Sequence, residues 1–250
     1  MSVSQYKDFL DCEAMAMAKI DGWVEPISSD LLIGSYVHAG VESPEALEQF
    51  RFQHPEIFSS RGASKGELKA EFRQADLMLE AIRNDPFCMF VLDGRKEVII
   101  TAEMFGVVWK IRIDSYAPKR GRFADLKTTR AIRGKHWSDR YGAYVSFVEA
   151  YDYITQMAVY CEVEKLATGR DEWLEPLMVA VSKEDPPDKA VIRFDEIRLR
   201  TELEIIQEQL PRIIAVKHGQ VSPRRCEKCR YCRETKQLRS TVHYTELLYG

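Results

Sequence analysis

The segment "FGVVWKIRIDSYAPKRGRFADLKTTR", residues 105–130, decides the fold because its apolar and β-branched residues recur with a period of two. Such alternation is typical of strands rather than helices. Together with "KEVIITAEM", residues 96–104, it predicts three strands over 95–129, with turns near Phe105-Gly106 and at "APKRGR". An antiparallel meander is the simplest arrangement of these strands.

The same segment places two acids and an amine at the strand ends. Asp125 and Lys127 are two residues apart and share one face of a strand, whereas Leu126 points into the core. Asp114 ends the preceding strand, and a hairpin brings the two aspartates to neighbouring strands. Carboxylates that close repel each other unless a hard cation such as Mg²⁺ lies between them. A neighbouring lysine can orient or deprotonate an attacking water; the alternative reading is an ion pair on the surface.

Helices are predicted around this sheet. Spacings of three and four between apolar residues predict helices over 4–20, 66–83, 149–168 and 195–217, and "SSDLLIGSYVHAG", residues 28–40, predicts another that carries His38. Two further strands are predicted at "EPLMVAVS", residues 175–182, and "KAVIRF", residues 189–194. The fold class is therefore α/β, with a central mixed sheet flanked by helices.

Length and composition favour one main domain. A chain of 250 residues with 45% hydrophobic residues can bury a single sizeable core. We expect an N-terminal helical part over 1–92, a catalytic core over 93–217 and a cysteine-rich tail over 218–250. No segment approaches the ~20 apolar residues of a membrane span, and the N-terminus has no basic region before an apolar run. We therefore expect a cytoplasmic protein.

Positive charge is concentrated locally although the net charge is −3. Residues 110–140 contain ten Lys/Arg against three acids, and the run from Arg224 to Arg239 contains seven Lys/Arg with only Glu227 and Glu234. Local basic surface in an acidic protein suits a phosphate backbone that enters a defined groove. On charge alone, solvated surface is an equally available explanation.

The tail carries a metal-binding pattern. Cys226, Cys229 and Cys232 form C-x₂-C-x₂-C, which supplies three soft ligands within one short loop. A fourth ligand must come from elsewhere in the chain. Cys88 and Cys161 lie among apolar neighbours, which indicates packing rather than metal binding.

Two further motifs complete a family pattern. Gly34 and His38 form G-x-x-x-H before the strands, and Gln156 and Tyr160 form Q-x-x-x-Y on the helix after them. With Asp114 and the D-x-K of residues 125–127, this order resembles the RecB-type branch of the PD-(D/E)xK nuclease superfamily. The chain is most similar there to the phage RecE-like exodeoxyribonucleases, and the likeness extends over most of its length.

The resemblance implies a function. It implies Mg²⁺- or Mn²⁺-dependent hydrolysis of linear, double-stranded DNA in the 5′→3′ direction, with 5′-phosphate products, in phage-type recombination. The gene would then belong to a phage or its bacterial host. DNA is the implied substrate, a single-strand annealing protein the implied partner, and a homo-oligomeric ring the implied assembly. Membrane association is not implied.

The resemblance also assigns roles to individual residues. The metal ligands would be Asp114, Asp125 and the backbone carbonyl of Leu126, with His38 as an additional ligand. Lys127 would position the water, and Gln156 and Tyr160 would contact the DNA end or orient Lys127. Phosphate near the cut would be bound by Thr128, Thr129 and Arg130. Apart from the family pattern, His38, Gln156 and Tyr160 are equally compatible with structural roles, and no spacing selects Glu42 or Glu103.

Cys12 is the implied fourth ligand of the tail. RecB-type nucleases with iron–sulphur clusters take one cysteine from an N-terminal helix, and "YKDFLDCEA", residues 6–14, resembles that position. The last cysteine of the tail is more closely spaced than in the family pattern. A [4Fe–4S] cluster, zinc and unligated thiols therefore all stay open, and either metal would join the two chain ends.

Two other functions fit the same residues. One is a single-strand or structure-selective nuclease of the same superfamily. The other is a catalytically inactive, nuclease-like module that binds DNA in a recombination complex. The intact Asp114, Asp125 and Lys127 argue against the inactive module, since acids beside phosphate do not help binding.

Overall fold

The computed structural model describes residues 1–238 and 240–245, which form parts of two compact units. One unit comprises Met1–Pro26 with Glu204–Gly250, and the other comprises Ile27–Leu203. Arg239 of the second basic run, and residues 246–250 of the predicted tail, lie outside the described residues. The predicted single domain, with boundaries at 92/93 and 217/218, stays a prediction.

A mixed sheet is the centre of the larger unit, as predicted. The strands are β1 (Arg95–Met104), β2 (Val107–Ala117), β3 (Arg122–Thr129), β4 (His136–Ser138), β5 (Ala143–Val145), β6 (Glu175–Ser182) and β7 (Lys189–Arg193). Five of them form one sheet in the order β1-β2-β3-β6-β7, and β4 pairs with β5 in a separate hairpin. The β3 and β6 strands are parallel, whereas the other neighbours in the large sheet are antiparallel.

The predicted meander of the first three strands is confirmed. Met104 pairs with Val107, so Phe105 and Gly106 are the two turn residues, with φ of 55° and 74°. Positive φ at both positions is the geometry of a type I′ hairpin turn, whose twist matches that of the flanking strands. The second turn contains Gly121 at φ 70°.

Ten helices are described. They are α1 (Val3–Asp11), α2 (Glu13–Ile20), α3 (Ser29–Glu42), α4 (Pro44–Gln53), α5 (Ala70–Arg83), α6 (Pro86–Val91), α7 (Phe147–Ala150), α8 (Tyr153–Thr168), α9 (Glu196–Lys217) and α10 (Arg230–Glu234). Among these described helices, none combines the length and the apolar character that crossing a bilayer requires.

The first predicted helix is broken at one residue. Cys12 has an extended backbone with φ −166°, which separates α1 from α2, and its Sγ accepts the Met15 N–H at 3.5 Å. An extended backbone is typical of an N-cap residue, and Cys12 is the N-cap of α2. The helix predicted over 149–168 is also broken, at Asp152, where the backbone is left-handed with φ 51°. The helix predicted over 66–83 begins at Ala70, and the sequence patterns do not predict α4, α6, α10, β4 or β5.

Helices α3 and α5 cover β3 and β6 in the larger unit. Their buried residues, among them Val37 and Leu79, form one cluster with Leu126, Val179 and Val181 of the sheet. Helix α8 packs against β1, β2 and β6, and its Met157 and Ala158 are fully buried. This packing determines where the side chains of α3 and α8 meet the strand ends.

The smaller unit joins the two ends of the chain. Tyr6 donates to Gln209 Oε1 at 2.5 Å, and Glu13 forms a bidentate ion pair with Arg212 at 2.6 and 2.8 Å. Glu13 also accepts the Arg224 N–H at 2.7 Å. One carboxylate of α2 therefore holds both α9 and the segment that follows it.

Candidate active site

The β2 and β3 strands separate at the two predicted aspartates. Their ladder contains Ser115–Ala124, Tyr116–Phe123 and Ala117–Arg122, so Asp114 and Asp125 stand just beyond its last pair. The Leu126 N–H donates to Asp114 Oδ2 at 2.8 Å instead of to a strand carbonyl. The two carboxylates thus come from neighbouring strands at the point where the sheet opens.

Asp125 and Lys127 lie together, as the strand alternation predicted, and Leu126 is buried in the core. Lys127 Nζ is 2.6 Å from Asp125 Oδ2, and Gln156 Nε2 donates to Asp125 Oδ1 at 2.6 Å. Burial raises the pKa of Asp125, although Lys127 opposes the shift. Burial lowers the pKa of Lys127, but the charges of Asp125 and Asp114 outweigh it and raise the pKa above its ordinary value. Lys127 is therefore a fixed positive charge in this arrangement.

Asp125 retains capacity for a cation. Its Oδ2 is buried, and its partner among the described residues is the Lys127 ammonium, 2.6 Å away. Carboxylate oxygens are ordinary ligands of divalent cations, and an oxygen with one partner keeps a further lone pair. Asp125 Oδ2 is therefore a candidate ligand atom for a divalent metal ion.

His38, Glu97 and Asp114 form a second group of ligand atoms beside it. One atom from each of these side chains lies within 4.8 Å of the others, and His38 Nδ1 is 3.5 Å from Asp114 Oδ2. An imidazole and two carboxylates are ordinary ligands for divalent metal ions. Burial and the nearby Asp114 raise the pKa of Glu97, while Arg112, 3.0 Å away, opposes the shift. This group does not include Asp125, whose oxygens face Lys127 and Gln156.

Glu97 is the site residue that the sequence reasoning missed. Lys96 pairs with Ser115 and Val98 with Ile113, so Glu97 stands directly across from Asp114. Its φ of 53° is in the left-handed region, which is rare for a residue other than glycine. The predicted turn indicates this position, because Glu97 and Asp114 are equally far from Phe105-Gly106 and residues equally far from a hairpin turn lie across from each other.

Two other charged residues line the same small pocket. Glu42 and Lys96 border it together with His38, Glu97 and Asp114. Lys96 donates to the Leu92 carbonyl, and burial lowers the pKa of its amine. Glu103, the other acid that spacing did not select, is exposed near the end of β1.

Helix α8 brings Gln156 and Tyr160 to the strand ends. Gln156 contacts Asp125 rather than Lys127. Burial and the charge of Asp125 raise the pKa of Tyr160 to about 12, so its hydroxyl keeps its proton at neutral pH. Tyr153, one turn before Gln156, was not predicted; its ring centroid is 5.0 Å from Lys127 Nζ, a cation–π distance.

The three residues after Lys127, which are predicted to bind phosphate, differ in their exposure and contacts. Thr128 Oγ1 faces Gly34, where an added Cβ would lie 3.4 Å away. Thr129 is buried and donates to the Ala131 carbonyl at 3.4 Å, whereas Arg130 is exposed. Arg130 is thus the member of this predicted phosphate-binding set that faces solvent. For Leu126, the N–H contacts Asp114, and a metal-binding role of its carbonyl stays a prediction.

The four predicted cysteine ligands meet in the smaller unit. Sulphur atoms of Cys12, Cys226, Cys229 and Cys232 lie within 4.8 Å of one another, and none is in a disulfide. Burial raises the pKa of Cys226, but backbone N–H groups of Cys229 and Lys228 outweigh it and lower the pKa to about 7. Four thiols at this separation can bind zinc or a [4Fe–4S] cluster.

The chain is similar to a known family and to a solved structure. The model of a family described as "PDDEXK-like domain of unknown function (DUF3799)" matches residues 2–235. A crystal structure of a protein from Eubacterium rectale described as "Putative exonuclease" matches with a TM-score of 0.91 and 38% identity, over 100% of this chain and 93% of that chain. Among curated proteins there is no match.

Proposed function

Since the chain belongs to this family of PDDEXK-like domains and has its nuclease fold, we propose that it is a metal-dependent exonuclease that degrades linear duplex DNA. One observation carries the proposal. Asp114 and Asp125 stand where β2 and β3 separate, with Lys127 on Asp125 and with His38 and Glu97 around Asp114.

Mg²⁺ or Mn²⁺ is the proposed cofactor. His38, Glu97, Asp114 and Asp125 would hold it, and when bound it would polarise the scissile phosphate and lower the pKa of a water molecule. Lys127 supplies a fixed positive charge beside the phosphate, where charge grows in the transition state. Gln156 holds the Asp125 carboxylate in one orientation through a 2.6 Å hydrogen bond.

Basic surface near the strands supports DNA as the substrate. Arg130, Arg133 and Lys135 follow β3 directly and are exposed. Phosphate contacts from such side chains fix the register of DNA without reading its sequence. Resection from 5′ to 3′, 5′-phosphate products, an annealing partner protein and a ring-shaped assembly rest on the RecE-like resemblance and are part of the proposal.

Digestion of end-labelled duplex tests the proposal. We expect wild-type protein to degrade linear duplex with Mg²⁺ and to leave it intact with EDTA. Lys127→Met, which keeps the buried stem, should lower the rate at least about 100-fold, as removal of one charge-stabilising group does in other enzymes. Lys65→Met, at an exposed lysine outside the site, is the matched control.

The substrate set separates the alternatives. Circular duplex should survive, and duplex labelled at the 5′ end should release its label before duplex labelled at the 3′ end. Cleavage of circles or of single strands alone would favour a structure-selective nuclease. DNA binding without degradation would favour the inactive module.

A further inference from the structure

The β4–β5 hairpin carries two large aromatic side chains in solvent. Trp137 and Tyr144 are paired across its strands, 57% and 68% exposed, with ring centroids 5.4 Å apart in a T-shaped contact. The Trp137 indole N–H donates to Asp139 Oδ1 at 2.8 Å, and this hydrogen bond holds the indole ring in one orientation. A fixed, exposed aromatic pair contributes nothing to the core of the unit and is the kind of surface that binds a partner.

The charge beside this pair identifies the kind of partner. Arg130, Arg133 and Lys135 precede Trp137, are exposed, and form no ion pair with any described residue. Asp139, the acid nearest in sequence, already accepts from Trp137. Exposed rings next to unpaired cations match unpaired nucleotides, whose bases stack while their phosphates bind cations.

A row of rings connects the hairpin with the candidate active site. Lys127 Nζ is 5.0 Å from the Tyr153 ring, Tyr153 is 6.0 Å from Tyr151, and Tyr151 is 5.3 Å from His136, all measured to ring centroids. His136 directly precedes Trp137 on β4. Because side chains alternate along a strand, Trp137 and Tyr144 lie on the opposite face of the hairpin from His136, and the row of rings reaches them through the backbone of β4.

The hairpin is anchored rather than loose. Arg140, in the turn of the hairpin, donates from one guanidinium nitrogen to both carboxylate oxygens of Glu202, at 2.9 and 3.0 Å, and from another to Asp152 at 3.3 Å. Glu202 is 1% exposed and also accepts from Thr155, the neighbour of Gln156, at 2.9 Å. The buried Glu202 carboxylate thus links the hairpin to α8, the helix whose Gln156 binds Asp125.

We propose that the β4–β5 hairpin is a stacking platform for unpaired bases at the end of the DNA substrate. Trp137 and Tyr144 receive the bases, and Arg130, Arg133 and Lys135 bind the phosphates on either side. The inference rests on the proposed nuclease function and adds a specificity, namely that the enzyme takes frayed or single-stranded ends in preference to blunt ends.

Binding without cleavage tests the platform. In EDTA, fluorescence anisotropy compares a blunt duplex, the same duplex with four unpaired nucleotides at one end, and the corresponding single strand. We expect wild type to bind the frayed end several-fold more tightly than the blunt end. Trp137→Ala and Tyr144→Ala should each weaken frayed-end binding about 5- to 100-fold, the usual loss for one base stack, and change blunt-end binding little.

A matched control is available on another element. Phe52 of α4 is 88% exposed, and Phe52→Ala should leave the affinity for all three DNAs unchanged. Because Trp137 and Tyr144 are both more exposed than buried, both variants should keep the wild-type circular dichroism spectrum and thermal unfolding. The binding losses then reflect the rings and not the fold.

The outcomes separate this inference from the proposed function. Equal wild-type affinity for frayed and blunt ends, unchanged frayed-end binding in both variants, or no binding of any of the three DNAs would overturn the platform. Degradation of linear duplex in Mg²⁺ by those same proteins would leave the nuclease function standing. Conversely, absence of degradation together with ring-dependent binding of frayed ends would refute the nuclease function and support the platform.

Discussion

At the scale of single residues, the candidate active site brings together several acidic side chains, and burial destabilises their ionised forms. The pKa values of Glu97 and Asp125 are both raised, chiefly by burial and also by the charge of Asp114. Only Lys127 and Arg112 form ion pairs with these two carboxylates among the described residues. A divalent cation relieves such repulsion, and its binding displaces protons from the ligands.

Glu97 provides the most direct test of the ligand set. Glu97→Gln keeps the shape of the side chain and removes its charge, so the Mg²⁺ concentration for half-maximal DNA degradation should rise at least about 10-fold, the lower end of losses seen around metal sites. Glu103→Gln, an exposed acid on the same strand, is the control and should not change it. Identical Mg²⁺ titrations for the two variants would exclude Glu97 as a ligand.

Sequence reasoning predicted some of the side chains that meet at the strand ends but not all of them. Asp114, Asp125, Lys127 and Gln156 are contiguous in space, and their motifs made this predictable. Glu97 depended on the hairpin register and on a left-handed backbone that no local pattern indicates. Motifs identify residues separated by fixed spacings, whereas Glu97 can be found only by counting the hairpin register from the predicted turn.

At the scale of elements, the docking of α3 determines where His38 reaches the strands. Two glycines on this helix lie on either side of His38 in sequence and have unequal surroundings. A Cβ added to Gly40 would lie 2.4 Å from Leu79 Cδ1, whereas one added to Gly34 would meet only Thr128 Oγ1, at 3.4 Å. Gly40 therefore allows α3 to approach α5, and Gly34 makes an ordinary contact.

The two glycines yield opposite predictions. Gly40→Ala should lower the free energy of unfolding by about 1–2 kcal/mol, because overpacking at Leu79 exceeds the gain in helix propensity. Gly34→Ala should leave stability unchanged or raise it by up to about 1 kcal/mol. Urea denaturation followed by circular dichroism measures both. A Gly40→Ala protein as stable as Gly34→Ala would show that α3 and α5 have room to separate.

Regular elements were predictable where their period extended over many residues. The three strands before residue 130 and the helix over 195–217 were placed within about two residues, the usual uncertainty of boundaries. Strands β4 and β5 contain three residues each, too few for alternation to be visible. Helices α4 and α6 have only local signals, namely Ser43-Pro44 and Asp85-Pro86 at their N-termini.

At the scale of the whole chain, the smaller unit is assembled from both ends. Its buried cluster contains Cys12, Ala14, Met15 and Cys232, with Trp23 and Tyr231 packed against it. A metal held by thiolates from both segments would add to the stability that this unit gains from its buried residues. The discontinuity could not be read from composition, because the residues involved are separated by most of the sequence.

Replacement of one thiol tests whether this unit holds a metal. Cys12→Ser should reduce the iron or zinc content to background and speed tryptic cleavage within residues 204–238, since this segment loses its thiolate link to Cys12 but keeps the contacts of Glu13. Cys88→Ser, at a buried cysteine of the larger unit, should keep the wild-type metal content. Elemental analysis and the visible absorption spectrum of anaerobically purified protein measure the metal, because an iron–sulphur cluster is coloured and zinc is not. Equal metal contents in the two variants would remove Cys12 from the site.

The position of the four thiols also sets an order of events during biosynthesis. Cys12 leaves the ribosome early, but its last partner, Cys232, is made 220 residues later. At ordinary translation speeds of about 5–20 residues per second, roughly 10–40 s pass between the synthesis of Cys12 and that of Cys232, and during this time the Cys12 thiol lacks its last partner. A chain that ends before Cys226 contains every residue of the acidic site and none of the C-terminal thiols, so the acidic site could be complete in a protein whose cysteine site is not.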